Sequence, residues 1–92
     1  MSRKEKVTRV IDGDTFLTGS RKNPVRLANV DAPERGERGA AKATSALRNL
    51  VHDKTVAIEP KARDCYGRTV ANVKVGRVSV NKKMQEVVKK KR

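Results

Sequence analysis

Two short segments of this 92-residue chain place carboxylates where a strand pattern gives way to a turn: Asp12-Gly13-Asp14 and Asp31-Ala32-Pro33-Glu34. Loops that meet in the fold would bring Asp14, Asp31 and Glu34 together, a set suited to a hard cation. Ca²⁺ takes several oxygens, carbonyls and waters included, and tolerates irregular geometry, so two aspartates on different loops suffice when a phosphate supplies the rest. A plainer reading makes Asp12 and Asp14 turn formers and Asp31 a polar strand end. Spacing alone leaves both open.

Cleaving a phosphodiester needs a nucleophilic water, neutralisation of the phosphate charge and help for the leaving oxygen, so cations must stand close to such carboxylates. Arg26 falls within a strand pattern, where a charge is normally avoided unless its planar fork meets an anion, and Arg68 follows Tyr66-Gly67 at the start of another. Either arginine also fits an ordinary place on a basic surface. His52 ends a helix pattern, where a cation suits the terminal carbonyls, and is given no catalytic role. Cys65 has bases nearby but no evident histidine partner and reads as an incidental loop thiol.

The wider composition points to a polyanionic partner. Lys and Arg number 23 against 10 Asp and Glu, a formal charge of +13. Setting aside the four bases of residues 89–92 leaves +9, and setting aside residues 1–6, three bases and one acid, leaves +7. The central segment is therefore basic in its own right, and DNA or RNA is the expected partner. No stretch is long or apolar enough to span a membrane, and no Trp/Phe-rich amphipathic face suits a membrane surface. The first residues show no apolar signal core, and one cysteine forms no internal disulfide, so a cytoplasmic location is expected.

One small domain must position these groups, with residues 1–6 as a basic N-terminal arm, 7–88 as the folded unit and 89–92 as a basic tail. Only 36% of residues are apolar, with Phe16 and Tyr66 the two aromatics, so the core must be built from Val, Leu, Ile and Ala. Residues 7–12 read as a strand that turns at Asp12-Gly13 into a second at 15–17, and 25–30 as a third ended by Pro33. Ala40, Ala43, Leu47, Leu50 and Val51 recur at helical spacing over 39–51. Alternation predicts strands over 54–59 and 69–75, and Asn81 predicts the cap of a last helix starting at Lys82. Three strands, a helix, two strands and a helix predict an α+β, mainly β fold: a five-stranded OB-type Greek-key barrel.

Together, Val10-Ile11-Asp12-Gly13-Asp14-Thr15-Phe16, Val25-Arg26-Leu27 through Val30-Asp31-Ala32-Pro33-Glu34, and Asp64-Cys65-Tyr66-Gly67-Arg68 resemble the staphylococcal nuclease (thermonuclease) family. Val80-Asn81 before the second helix is a fourth match. The resemblance implies a five-stranded OB barrel that cleaves DNA and RNA with Ca²⁺. Asp14 and Asp31 match its carboxylate ligands, and the backbone carbonyl of Ala32 a third ligand position. Glu34 matches the general base for the attacking water, and Arg26 and Arg68 match the arginines that bind the phosphate and its transition-state charge. Tyr66 resembles a tyrosine contacting a substrate phosphate.

Two departures stand out. Ala32 replaces the staphylococcal member's threonine, keeping the carbonyl but losing a hydroxyl. The chain also ends at Arg92, whereas longer members continue into another helix, so it resembles a short member lacking that region. The expectation is a monomeric Ca²⁺-dependent nuclease of low sequence specificity. The alternatives are a noncatalytic nucleic-acid-binding OB module and a small basic RNA binder whose acidic residues are ordinary turn formers.

Overall fold

The computed structural model of the protein describes residues 3–33 and 36–89. Its elements are β1 (Arg3–Asp12), β2 (Thr15–Thr18), β3 (Val25–Leu27), α1 (Ala40–Val51), β4 (Thr55–Arg63), β5 (Thr69–Val75), β6 (Val78–Ser79) and α2 (Val80–Lys89). The sheet runs β3-β2-β1-β4-β5-β6. β3 also pairs in parallel with β5, from Val25 opposite Thr69 to Leu27 opposite Ala71, so five strands close into a ring. Closure removes edges that strands this short would otherwise expose. The α+β OB-like architecture is the predicted one, with α1 between the third and fourth strands and α2 at the C-terminal end.

Apolar side chains from every layer fill the ring. Val7, Val10, Phe16, Leu27, Val56, Ile58, Ala71 and Val73 come from the sheet, and Leu47, Val51, Val80 and Met84 from the two helices, each less than a tenth exposed. Burying a Val, Leu, Ile or Met contributes about 1.5–3 kcal/mol relative to exposure, and such residues carry a core in which Phe16 is the only ring.

Apart from β4, which runs past the predicted end at 59 to Arg63 with a bulge between Pro60 and Ala62, four local features differ from the sequence pattern. Arg3 to Lys6, expected within a basic arm, begin β1 and pair antiparallel with β4, Arg3 opposite Ile58 and Lys6 opposite Thr55. Charged residues mask the alternation there. Glu5 turns inward, and its carboxylate accepts the Thr18 hydroxyl at 2.7 Å and Arg21 Nε at 2.9 Å, which offsets the cost of burial. β3 ends at Leu27 rather than Val30, because Asn29 adopts a left-handed φ of 62° just after Ala28 makes its bond to Ala71. β6 adds two residues to the edge of β5, too few to show an alternation.

The fourth is a correction at Asn81, which caps no helix. α2 already starts at Val80, and the Ser79 hydroxyl accepts the Lys82 N–H at 3.2 Å. Asn81 instead lies buried against the sheet. Its Oδ1 accepts the Val73 N–H at 2.7 Å, and its Nδ2 donates to the carbonyls of Ala28 and Ala71 at 2.8 and 3.1 Å. One side chain thus ties α2 to β5 and to the chain leaving β3.

Candidate active site

The turn between β1 and β2 fixes the site because nothing larger than glycine fits at its centre. A Cβ on Gly13 would stand 2.6 Å from Ala43 Cβ of α1 and 2.7 Å from Ala32 Cβ, so the bare backbone lets hairpin, helix and 31–33 segment close together. Two bonds lock the contact. Leu27 N–H donates to the Asp14 carbonyl at 2.8 Å, and Ala32 N–H donates to Asp14 Oδ2 at 3.2 Å. The Asp14 side chain, only 10% exposed, also accepts the Thr15 hydroxyl on Oδ1 at 2.8 Å.

Arg26 projects from the middle of β3 into this junction. Its Nη1 donates to the Leu27 carbonyl at 3.0 Å, which aims the guanidinium. The other nitrogen, Nη2, stands 3.1 Å from Asp31 Oδ1 and 3.4 Å from Asp14 Oδ2. Two carboxylates from separate loops therefore converge on a single positive nitrogen. They differ in surroundings: the Asp31 side chain is 99% exposed, free to exchange partners, whereas Asp14 is held from three sides.

Arg68 comes from the loop between β4 and β5, organised by Asp64. Asp64 Oδ1 accepts the Tyr66 and Arg68 backbone N–H groups at 3.0 and 2.9 Å, a turn completed by Gly67 at a φ of 83°. Its Oδ2 accepts Arg68 Nε at 2.7 Å. So gripped, the guanidinium sends Nη1 to Thr15 Oγ1 at 3.3 Å and lies 5.3 Å from the centre of the Tyr66 ring. Tyr66 itself is 80% exposed at the mouth. Arg26, Arg68, Asp14, Asp31, Ala32 and Tyr66 line one cleft of about 560 Å³ with Ile11 and Asp12.

Two carboxyls, Asp14 in the cleft and Asp64 behind Arg68, are shifted in opposite directions. Burial pushes Asp14 above its ordinary value, a side-chain hydrogen bond with Asp12 and that residue's charge add to the rise, and the Thr15 and Ala32 hydrogen bonds oppose it. For Asp64 desolvation works upward too, but the bonds from the Arg68 backbone and guanidinium and the Tyr66 N–H together outweigh it, and its carboxyl lies below the usual range.

The sequence profile of the family described as "Staphylococcal nuclease homologue" matches residues 24–89. The chain belongs to this family. An uncharacterized endonuclease of Haemophilus influenzae is 38% identical over 82 residues, which covers 86% of this chain and 46% of that protein. Protein ParB of Escherichia coli is 41% identical over 69 residues, 73% of this chain and 39% of that protein. A micrococcal nuclease of Shigella flexneri is 39% identical over 69 residues, 73% and 40% respectively. The chain spans less than half the length of each of these three relatives.

In this staphylococcal nuclease homologue, the cleft gathers every candidate side chain named from the sequence except Glu34, which lies outside the described residues. Among the described residues, no group of three or more His, Cys, Asp or Glu forms a metal cluster. The donors at hand are all oxygens, however, and Asp14 and Asp31 already share one positive centre in Arg26 Nη2, so their placement fits a hard cation. His52 and Cys65 stand outside this cleft.

Two contributors escaped the sequence reading of this nuclease homologue. Thr15 stands between Asp14 and Arg68 and bonds both, though it reads as one more β-branched strand residue. Asp64 orders the whole Arg68 loop, and its signal was present: an acidic residue four before an arginine, with glycine between, is the pattern of a side-chain-closed turn. No helix among the described residues is long and apolar enough to cross a membrane.

Proposed function

We propose that this chain hydrolyses phosphodiester bonds of DNA or RNA with Ca²⁺ as cofactor and little sequence preference. The observation that carries the reading is the convergence of two guanidiniums and two aspartates, from four separate segments, on one open cleft. The nuclease and endonuclease names of its relatives support the reaction class.

Asp14, Asp31 and the Ala32 carbonyl would hold Ca²⁺, which when bound supplies positive charge against a phosphate oxygen. Arg26 and Arg68 grip the phosphate and stabilise the charge that grows on its oxygens as water attacks. Arg68 is pre-aimed by Asp64 and Thr15, so little reorganisation is needed when substrate enters. Glu34 accepts the proton of the attacking water. Tyr66, exposed beside Arg68, contacts a substrate phosphate. Shallow walls with few shaped polar groups give little base readout.

The test incubates the protein with single-stranded DNA and with RNA, in Ca²⁺ and in chelator. Ca²⁺-dependent fragments are expected from at least one. Removing one charge-stabilising donor costs on the order of 10²–10³ in rate and removing a general base on the order of 10²–10⁴, so Arg68→Ala and Glu34→Gln should each lose about that much turnover while binding persists. Absence of fragments overturns the reading in favour of a binding module, and full activity in both variants overturns the roles given to Arg68 and Glu34.

A further inference from the structure

A second groove, of about 720 Å³, runs between the β1–β2 hairpin and the exposed face of α1. It meets the cleft described above at Ile11 and Asp12, which line both. The walls beyond that shared end carry positive charge and hydroxyls. Arg9 faces in from β1, with Arg48 and His52 from the end of α1, while Thr8, Thr44 and Ser45 place donors between them. Among the described residues of the lining, Asp12, at the cleft end, is the only carboxylate.

The two arginines differ from those of the cleft. Arg26 and Arg68 are each held by a carboxylate, whereas among the described residues neither Arg9 nor Arg48 has an ion-pair partner. Both are exposed. Unpaired guanidiniums around a trough floored by Val10, Ile11 and Leu17 offer phosphates a row of forks and sugars an apolar rest. A groove that shares Ile11 and Asp12 with the cleft also offers a path to a strand whose phosphate is held by Arg26 and Arg68.

We infer that this groove binds the single-stranded nucleic acid flanking the scissile phosphate, with Arg9 and Arg48 as its phosphate contacts. The inference rests on the reading of nucleic acid as substrate, and it makes the groove the determinant of preference for long strands over short ones. Nothing in the chemistry of the groove separates DNA from RNA.

The decisive measurement is fluorescence anisotropy of a labelled single-stranded 15-mer in chelator, where no cleavage occurs, over a series of salt concentrations. Each phosphate contact on a single strand contributes about 0.7 to the slope of log affinity against log salt. The double variant Arg9→Gln/Arg48→Gln should therefore lower that slope by about 1.4 and weaken binding at 0.1 M salt on the order of tenfold. Lys74→Gln/Arg77→Gln removes the same charge from exposed positions of β5 and the β5–β6 turn, outside the groove, and should change both far less. Equal losses in the two double variants, or none in the first, overturn the groove assignment.

A second readout separates this inference from the proposed activity. With Ca²⁺, Arg9→Gln/Arg48→Gln should cleave bis(p-nitrophenyl) phosphate at the wild-type rate yet cleave the 15-mer roughly tenfold more slowly at limiting substrate. Equal slowing on both substrates overturns the groove. A wild type that cleaves neither overturns the activity, and the anisotropy still decides the groove.

Discussion

Arg68 Nη1 donates to Thr15 Oγ1 at 3.3 Å, a contact that bridges 53 residues of sequence and joins the β4–β5 loop to the first hairpin. The same hydroxyl donates to Asp14 Oδ1 at 2.8 Å, so one threonine relays position between a guanidinium and a carboxylate. Thr15→Val keeps the shape and removes the relay. Turnover should fall about tenfold or more, with Thr15→Ser restoring most of it; steady-state kinetics on a single-stranded oligonucleotide checks both, and wild-type rates in Thr15→Val would show the hydroxyl to be idle.

Arg26 Nη2 lies 3.4 Å from Asp14 Oδ2 and 3.1 Å from Asp31 Oδ1, the two carboxylates proposed to hold Ca²⁺. Removing it should leave two carboxylates with less competing charge. Arg26→Ala is expected to bind Ca²⁺ several-fold more tightly without substrate, by calorimetric titration, while cleaving at least a hundredfold more slowly. Weaker Ca²⁺ binding in this variant would mean that Arg26 positions the aspartates rather than competing for them.

Gly13 has no room for a side chain, since a Cβ would lie within 2.7 Å of both Ala43 and Ala32 Cβ. Gly13→Ala must push the hairpin away from α1 and the 31–33 segment. Overpacking of this kind costs about 1–3 kcal/mol, readable as a lower urea midpoint, and activity should fall further than stability because Asp14 and Asp31 separate.

Asn81 satisfies one buried N–H and two carbonyls, although Ala71 O also accepts the Ala28 N–H at 2.9 Å. Asn81→Ala leaves the Val73 donor without a partner in the core. The expected loss is about 2–4 kcal/mol in chemical denaturation. A cost under about 0.5 kcal/mol would show that α2 docks without it.

Asp14 carries the clearest pH signature. Its folded pKa is raised, above all by burial, so the folded state holds this proton more tightly than the unfolded chain does. Ionising it costs stability. That cost is absent below the unfolded value near 3.8, grows as pH rises through the folded pKa and is fully present above it. At pH 7 in chelator, Asp14→Asn should therefore raise the thermal midpoint while abolishing cleavage, a stability gain at the expense of function. Ca²⁺ should stabilise the wild type at pH 7 and lose that effect on acidification, whereas the variant should respond little at any pH.

Much of this protein was legible along the chain because the rules involved act over a few residues. Asp12-Gly13 specified a hairpin, alternation placed the strands through Val56, Ile58, Ala71 and Val73, and the spacing of Ala43, Leu47 and Val51 placed α1. Arg26 drew notice as a charge inside a strand, whereas Arg68 after Tyr66-Gly67 read equally as a surface arginine until the resemblance to the nuclease family gave both a role. Charge masked the first half of β1, and an asparagine before a helix pattern suggested a cap when its side chain was destined for the sheet.

Ring closure decided the rest. The parallel pairing of β3 with β5 brings Arg26 and Arg68 to one end of the ring although 42 positions separate their numbers in the chain. The clearance at Gly13 sets Asp14 against Ala32, and the meeting of hairpin with α1 creates a groove from Arg9 and Arg48, which no local pattern connects. The sequence by itself determined which charges exist and which elements carry them. Only the tertiary structure decided which charges face each other, because that depends on packing across tens of residues rather than on the torsion preferences of neighbours.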